Sequence, residues 1–210
     1  MTKVAQSRIP TSILLLSCVN FLNELSSQIV APLIPLLLAK VLGAGPVALG
    51  LIEGLADAVA SLLKLWAGRR SDVLGQKRKR FILGGYGLSV IARPLIGLAV
   101  SWPMVLLLRS LDRVGKGLRG APRDALIADA TPEELRGKAY GLNRAFDYAG
   151  AVGGSLLAAA ALTYVSQSIS TVIFLSAIPG FFAVLLLAIL VQNAPAPAND
   201  IKPSNVSSLS

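Results

Sequence analysis

Residues 109–124 read RSLDRVGKGLRGAPRD, and this stretch decides what the rest of the chain must accommodate. It follows an apolar run at 103–108 and carries five bases and two acids, namely Arg109, Arg113, Lys116, Arg119, Arg123, Asp112 and Asp124. On a helix with about 100° per residue, the bases fall within roughly 120° of one another, with the acids on the same side. The opposite side is apolar and holds Leu107, Leu111, Val114, Leu118 and Ala121. The stretch is therefore predicted to be a helix with one charged stripe.

Two placements of this stripe are open. The helix could lie at a membrane interface or on a soluble surface, with its charges in water. Alternatively, it could cross the membrane with the stripe facing a bundle interior or a water-filled cavity, where ionisable groups are functional candidates by default. Apolar spans flank the stretch on both sides and favour the buried stripe.

Composition places the whole chain in a membrane. The 210 residues are 54% hydrophobic and only 15% charged, whereas a soluble domain carries about 25% charge. A single cysteine, Cys18, excludes an internal disulfide, and the absence of histidine argues against a metal site and against histidine-based catalysis. No nucleophile–base or metal constellation is present, so we expect neither an enzyme, nor a cofactor, nor a bound metal.

Six apolar segments have the length of about 20 residues that a helix needs to cross the hydrocarbon. We predict an all-α membrane protein, a six-transmembrane-helix bundle over 13–191, with spans at 13–38, 47–67, 81–100, 103–123, 139–165 and 171–191. The first apolar run continues well past Cys18, which favours an uncleaved span over a signal peptide. Pro32 and Pro35 should bend its outer end. Residues 1–12 and 192–210 are predicted tails, the latter disordered because it is rich in Pro, Ala, Ser and Asn.

Loop charges predict the orientation. Lys and Arg number two in 1–12, six in 68–80, two in 124–138 and one in 192–210, against one in 39–46 on the other side. By the positive-inside rule, both termini are cytoplasmic. The same asymmetry accounts for the net charge of +9 without any nucleic-acid partner.

Polar side chains concentrate on one face of four spans. In span 1 the polar face consists of Asn20, Asn23, Glu24 and Ser27, and in span 2 it consists of Glu53, Asp57 and Lys64. In span 4 it is the charged stripe described above. Span 5 adds Arg144, Asp147 and Tyr148. Span 3 has only Arg93, and span 6 has no charge, so these two are predicted to be lipid-facing support.

The charges could simply pair with one another, Glu53 or Asp57 with Arg109 or Arg113, and Asp147 with Arg144 or Lys116. Buried ion pairs rarely add net stability over apolar packing, so function is the better reason to retain so many. Gly150 and Gly154 form a small-xxx-small pair that would let span 5 approach another helix closely.

The loop GRRSDVLGQKRKR at 68–80 resembles the signature cytoplasmic loop of the major facilitator superfamily. The matching positions are Gly68, Asp72, Gly75, Lys77 and Arg78, whereas Val73 replaces a usual basic residue and Arg70 a usual aliphatic one. The segments DRVGKGLRGAPRDALIAD and RGKAYGLNRAFDYAGAVGG look like one bacterial branch of that superfamily. The resemblance covers roughly residues 12–191 and only the N-terminal six-helix half.

This resemblance implies a multi-pass protein of the plasma (inner) membrane whose helices 1, 2, 4 and 5 line a substrate cavity, with helices 3 and 6 as support. It also implies a cytoplasmic gate, in which Asp72 meets the start of span 5, near 138–141, in the other half. Full members have two six-helix halves around a central site. A lone half would expose polar faces to lipid, so we expect a partner, either a second copy in a parallel homodimer or a separate C-terminal half.

The leading hypothesis is a half of a secondary active transporter that assembles as a dimer and moves a small anionic solute, an organic acid or an anionic metal chelate, by alternating access. Arginines suit carboxylate and phosphate groups, although the cavity acids nearly balance the bases. Glu24 and Asp57 are the predicted coupling residues, because burial penalises the charged form of a carboxylate. The alternative is a non-transporting membrane subunit, or the N-terminal half of a split transporter.

Overall fold

The computed structural model describes residues 9–74 and 78–193, and this part of the chain is helical throughout its spans. The first span comprises α1 (Thr11–Val30), the short α2 (Leu33–Leu36) and a π-helical turn, Leu37–Val41. The middle spans are α3 (Pro46–Leu74), α4 (Arg78–Ile96), α5 (Trp102–Asp129) and α6 (Arg136–Tyr164), which a 3₁₀ turn at Glu133–Leu135 precedes. The last span comprises α7 (Ile169–Leu175) and α8 (Ala177–Asn193). These helices form the predicted six-span bundle.

Proline explains where two of the spans are interrupted. The first span breaks at Ala31 and Pro32, as predicted, because proline has no N–H to donate to the preceding turn. The break between α7 and α8 was not predicted. Pro179 cannot donate to the carbonyl of Leu175, and Leu175 is the last residue of α7.

Several predicted boundaries are wrong by a few residues. The third span ends at Ile96 instead of residue 100, because Pro94 disturbs its last turn and Gly97 bonds back to the Pro94 carbonyl at 3.0 Å. The second and fourth spans continue past the apolar stretches to Leu74 and Asp129. A 29-residue helix such as α3 is about 43 Å long, longer than the ~30 Å hydrocarbon layer, so its charged end extends beyond the lipid.

Hydropathy alone detects only part of this bundle. Within the described residues, four stretches are long and apolar enough to cross a membrane: Thr11–Val41, Pro46–Arg70, Glu133–Tyr164 and Ile169–Ile189. The apolar stretch of α4, Phe81–Ile96, is shorter. The charged stripe of α5 lowers its hydropathy, and the position of this helix among the other spans identifies it as a span.

Helix packing follows an internal repeat. The first span packs mainly on the fifth (α1 on α6), and correspondingly the fourth packs on the second (α5 on α3). Likewise α4 packs on α5, and α8 packs on α1. The last three spans therefore repeat the contacts of the first three. The contact of span 1 with span 5 corresponds to that of span 4 with span 2, and the contact of span 3 with span 4 corresponds to that of span 6 with span 1.

Small residues permit the closest of these contacts. A Cβ on Gly150 would lie 2.6 Å from the carbonyl oxygen of Phe21, and one on Gly154 would lie 2.5 Å from that of Leu25. Any side chain at these positions would push α6 away from α1. The predicted small-xxx-small pair is thus confirmed as a helix–helix contact.

The core has a polar layer between two apolar clusters. One cluster lies near the C-terminal end of the first span and includes Ile34, Leu37 and Val105. The other lies near its start and includes Ile13, Leu16 and Ile127. Buried polar residues of α1, α4 and α5 lie between them along the chain of each helix, among them Asn20, Asn23, Glu24, Arg93, Arg109, Asp112 and Arg119.

Candidate functional site: a polar cleft at mid-depth of the bundle

A cleft of about 360 Å³ opens on one side of the bundle between α1, α3, α5 and α6. These are the four spans that were predicted to carry a polar face. Ten of the predicted site residues line it: Asn20, Asn23, Glu24, Asp57, Arg113, Lys116, Arg119, Arg123, Arg144 and Asp147. Further lining residues are Ala60, Ser61, Lys64, Gly117, Gly120 and Asp124.

Five predicted cavity residues do not line the cleft. Ser27, Arg109 and Asp112 are buried between helices. Glu53 lies behind the lining and binds Arg109 and Arg113. Tyr148 is exposed outside the cleft, because the step of about 100° from Asp147 turns its side chain away.

Ion pairs connect the walls of the cleft. Arg113 of α5 lies 3.3 Å from Asp57 of α3, and Lys116 of α5 lies 3.8 Å from Glu24 of α1. The pair Arg144–Asp147, at 3.4 Å, lies within α6. The predicted pairing of Asp57 with Arg113 and of Asp147 with Arg144 is therefore confirmed, whereas Lys116 pairs with Glu24 and not with Asp147.

A chain of alternating charges runs from the cleft into the core. It starts at Asp57 and continues through Arg113, Glu53, Arg109 and Asp112 to Arg93, with successive N–O distances of 3.3, 3.4, 3.1, 3.6 and 2.8 Å. Glu53 accepts two parallel hydrogen bonds from the Nε and Nη2 atoms of Arg109, at 3.1 Å each. This bidentate geometry is the strong form of the interaction and fixes α5 against α3.

Arg93 corrects the assignment of the third span to lipid-facing support. Its side chain is 1% exposed, and its Nε lies 2.8 Å from Asp112 Oδ1. Its Nη1 donates to the Asn23 carbonyl at 2.9 Å, so this one guanidinium joins α4 to α5 and α1. The sequence contained the signal, a lone ionisable residue in an apolar span, but not the direction in which it faces.

Asn20 is the equivalent junction nearer the start of α1. Its Nδ2 donates to Asp147 Oδ1 at 2.8 Å, while its Oδ1 accepts from Arg123 Nη1 at 2.6 Å and from Tyr86 Oη at 3.4 Å. A single amide thus contacts α6, α5 and α4. The three bonds require the amide oxygen to face the two donors, which sets the orientation of the side chain.

Arg119 is buried at 3% exposure. Its Nη1 donates to Ser89 Oγ at 2.7 Å and to the Gly85 carbonyl at 3.3 Å. The guanidinium carbon lies 4.6 Å from the centre of the Tyr86 ring, within cation–π range. Among the described residues, no carboxylate lies within ion-pair distance of Arg119, in contrast to Arg93 and Arg109.

The two predicted coupling residues differ in their surroundings. Glu24 is buried, beside Lys116, and accepts from Gln28 Nε2 at 3.2 Å. The Asp57 side chain is 64% exposed in this bundle, so burial of Asp57 requires a second wall over the cleft.

The predicted gate motif begins near the end of α3, which contains Gly68 and Asp72. Gly68 is within α3, where a Cβ would lie 3.4 Å from Ala121 of α5. Gly75 and Lys77 lie outside the described residues, as do the side chains of Asp72 and Arg78. The gate therefore stays a prediction.

Comparison with known proteins places this bundle. The family model for the Major Facilitator Superfamily matches residues 16–209. An uncharacterised MFS-type transporter of Methanocaldococcus jannaschii is 38% identical over 189 residues, which cover 90% of this chain and 46% of that protein. The multidrug resistance protein MdtH of Yersinia enterocolitica is 32% identical over 145 residues, 69% of this chain and 36% of that protein.

A solved structure shows the same fold. The bacterial homologue of the human lysosomal transporter Spinster, in an inward-facing and unoccupied conformation, matches with a TM-score of 0.70 at 17% identity. The match covers 99% of this chain and 47% of that one. The six-span bundle, its swapped three-span repeat and its one-sided polar cleft define a multi-pass membrane protein built on one half of a two-bundle fold.

The chain belongs to the major facilitator superfamily. It spans less than half the length of the relatives named above. The predicted resemblance to the major facilitator superfamily is thereby confirmed.

Proposed function

We propose that this bundle is one half of a secondary active transporter, which moves a small anionic solute, such as an organic acid or an anionic metal chelate, by alternating access between two six-helix bundles. The observation that carries the proposal is the open side of the polar cleft. There the side chains of Asp57, Arg144 and Lys116 are 64%, 57% and 45% exposed. Lipid cannot solvate these charges, since a charge facing hydrocarbon costs on the order of 3 kcal/mol or more.

The second wall can come from two sources. A second copy of the chain can pair about an axis along the membrane normal, because two-fold pairing is the commonest oligomer. Alternatively, a separately encoded C-terminal half supplies it. The length of the relatives, about twice that of this chain, supports a two-bundle unit in either case.

The test measures the mass of the assembly and its transport of solute on the same preparation. The protein, purified with its native partners, is inserted into nanodiscs and weighed by native mass spectrometry, and a parallel sample in proteoliposomes is assayed for gradient-driven uptake of dicarboxylates. We expect two bundles per unit and a measurable flux. A solitary bundle without flux would refute the proposal and favour a non-transporting subunit that docks another membrane complex.

Coupling is proposed to use Glu24 and Asp57. Each would exchange a proton or cation as the cleft alternates between the two sides of the membrane. Glu24→Gln and Asp57→Asn should each abolish uphill uptake while leaving exchange of solute across the membrane. Uphill uptake that persists in both variants, or a flux with no dependence on any ion gradient, would remove this part of the proposal.

The cytoplasmic gate is proposed to use Asp72 against the start of α6, near 138–141, in the second bundle. The bundle then lies in the plasma (inner) membrane with both termini in the cytoplasm. Asp72→Asn should increase the reactivity of cysteines introduced into the cleft toward maleimides added from the cytoplasmic side. Unchanged reactivity would contradict the role of Asp72.

A further inference from the structure

The charges of the cleft do not cancel. Each carboxylate that lines it has a cationic partner, the pairs being Asp57–Arg113, Glu24–Lys116, Asp124–Arg123 and Asp147–Arg144. Behind the lining, the two carboxylates of Glu53 and Asp112 are matched by the two guanidinium groups of Arg109 and Arg93. Two lining cations remain without a carboxylate among the described residues, Arg119 and Lys64.

Arg119 has donors to spare. Its hydrogen bonds to Ser89 and Gly85 both come from Nη1. The Nε and Nη2 groups have no acceptor within the described part of the chain. A structural link between α5 and α4 accounts for one of the three nitrogens, and the buried guanidinium contacts the ring of Tyr86 but no carboxylate among the described residues. Such a charge is expensive unless an anion joins it.

Lys64 belongs to α3, and its side chain extends toward the cleft on the side of α5 that faces α3. A Cβ on Gly120 would lie 3.8 Å from Lys64 Cε, so the lysine stem passes over this glycine. Gly120 follows Arg119 directly in the chain. The two unmatched cations are therefore held at one level of α5, Arg119 toward α4 and Lys64 toward α3.

We propose that this wall of the cleft binds two anionic groups of one solute, the first at Arg119 and the second at Lys64. The solute class is then a small dianion, with dicarboxylates as the simplest members. The inference rests on the proposed function, since it names the solute of the same cleft. Arg119 presents a planar pair of donors that fits a carboxylate edge, and Lys64 supplies a point charge that tolerates different spacings.

Binding to the purified assembly in nanodiscs of zwitterionic lipid tests this assignment. The probes are dicarboxylates of three to five carbons, with butyrate and putrescine as chain-matched controls carrying one negative charge and two positive charges. At millimolar concentrations, at least one dicarboxylate should bind about tenfold more tightly than butyrate, the range expected for one added charge-assisted hydrogen bond. Putrescine should not bind.

The decisive variant is Lys64→Gln. Lys64 is exposed in the cleft, so its removal leaves the fold intact. It should reduce the preference for the dicarboxylate over butyrate about tenfold, with butyrate binding unchanged. Lys40→Gln removes the same charge from an exposed position of the π-helical turn, outside the cleft, and should change neither affinity. Arg119→Lys, which keeps a cation, should weaken both ligands.

Four outcomes with the soluble probes would overturn the inference: no dicarboxylate binds, butyrate binds equally well, putrescine is preferred, or Lys64→Gln leaves the preference intact. Anionic phospholipid in the nanodisc is the fourth arm of the test. If it displaces the dicarboxylate competitively, the cleft holds a lipid headgroup and the solute assignment is wrong. If dicarboxylates bind as expected but no flux is measured, the proposed transport function is refuted and the solute assignment stands. If neutral solutes are transported and Lys64→Gln does not change their flux, the assignment of a dianionic solute is refuted and the transport function stands.

Discussion

The buried pair Arg93–Asp112 offers the sharpest test of the polar core. Both side chains are almost completely buried, 2.8 Å apart, and they join α4 to α5. Replacing Asp112 leaves Arg93 without a carboxylate, and replacing Arg93 leaves Asp112 with only the longer contact of 3.6 Å to Arg109. Removing one member of a buried ion pair costs about 3–5 kcal/mol. Arg93→Met and Asp112→Asn should therefore each lower the free energy of unfolding by about 3 kcal/mol. This is the low end of the range, because polar interactions between membrane helices contribute less to stability than their burial alone suggests.

The double variant should recover part of this loss. With both charges removed, Arg109 still has its bidentate bonds to Glu53, so no buried charge is left alone. The loss of unfolding free energy in the double variant is then expected to be about 2 kcal/mol smaller than the sum of the two single losses. Reversible unfolding in mixed micelles with increasing dodecyl sulfate, followed by tryptophan fluorescence, measures the three free energies.

The pair Arg144–Asp147 is the matched control. It is also an arginine–aspartate pair, at 3.4 Å, but it lies on one helix at the open side of the cleft. Its coupling energy should stay below about 0.5 kcal/mol, as for other exposed i,i+3 pairs. Equal coupling energies in the double-mutant cycles of the two pairs would refute the argument that the inner pair is a desolvated junction. So would losses of unfolding free energy for Arg93 and Asp112 that simply add in the double variant.

Three further predictions concern packing, the Asn20 junction and topology. Gly154→Ala places a Cβ 2.5 Å from the Leu25 carbonyl and should lower the unfolding midpoint, while Gly141→Ala on the same helix meets nothing within 4 Å and should not. Asn20→Ala removes three hydrogen bonds and should cost about 2 kcal/mol in the same unfolding assay. In a Cys18→Ser background, Ser166→Cys should react with an impermeant maleimide from outside, whereas a cysteine at Ala130 should react only after permeabilisation.

The local properties of the chain predicted the span count and the four polar helices. Apolar length and helical periodicity depend on consecutive residues alone, so they could be read without knowing any neighbour. The ends of the spans were less predictable. Proline effects at Pro94 and Pro179, and the continuation of α3 beyond the lipid, decide where each helix stops.

The sequence by itself determined a multi-pass bundle with charged faces, because lipid excludes charge and every backbone group must be satisfied within a helix. Only the tertiary structure decided which charges meet. The close contact of Gly85 with Gly115 sets the distance between α4 and α5, and that distance brings Arg93 to Asp112. Ion pairing depends on separations of a few ångströms between residues far apart in the chain, which no local pattern specifies.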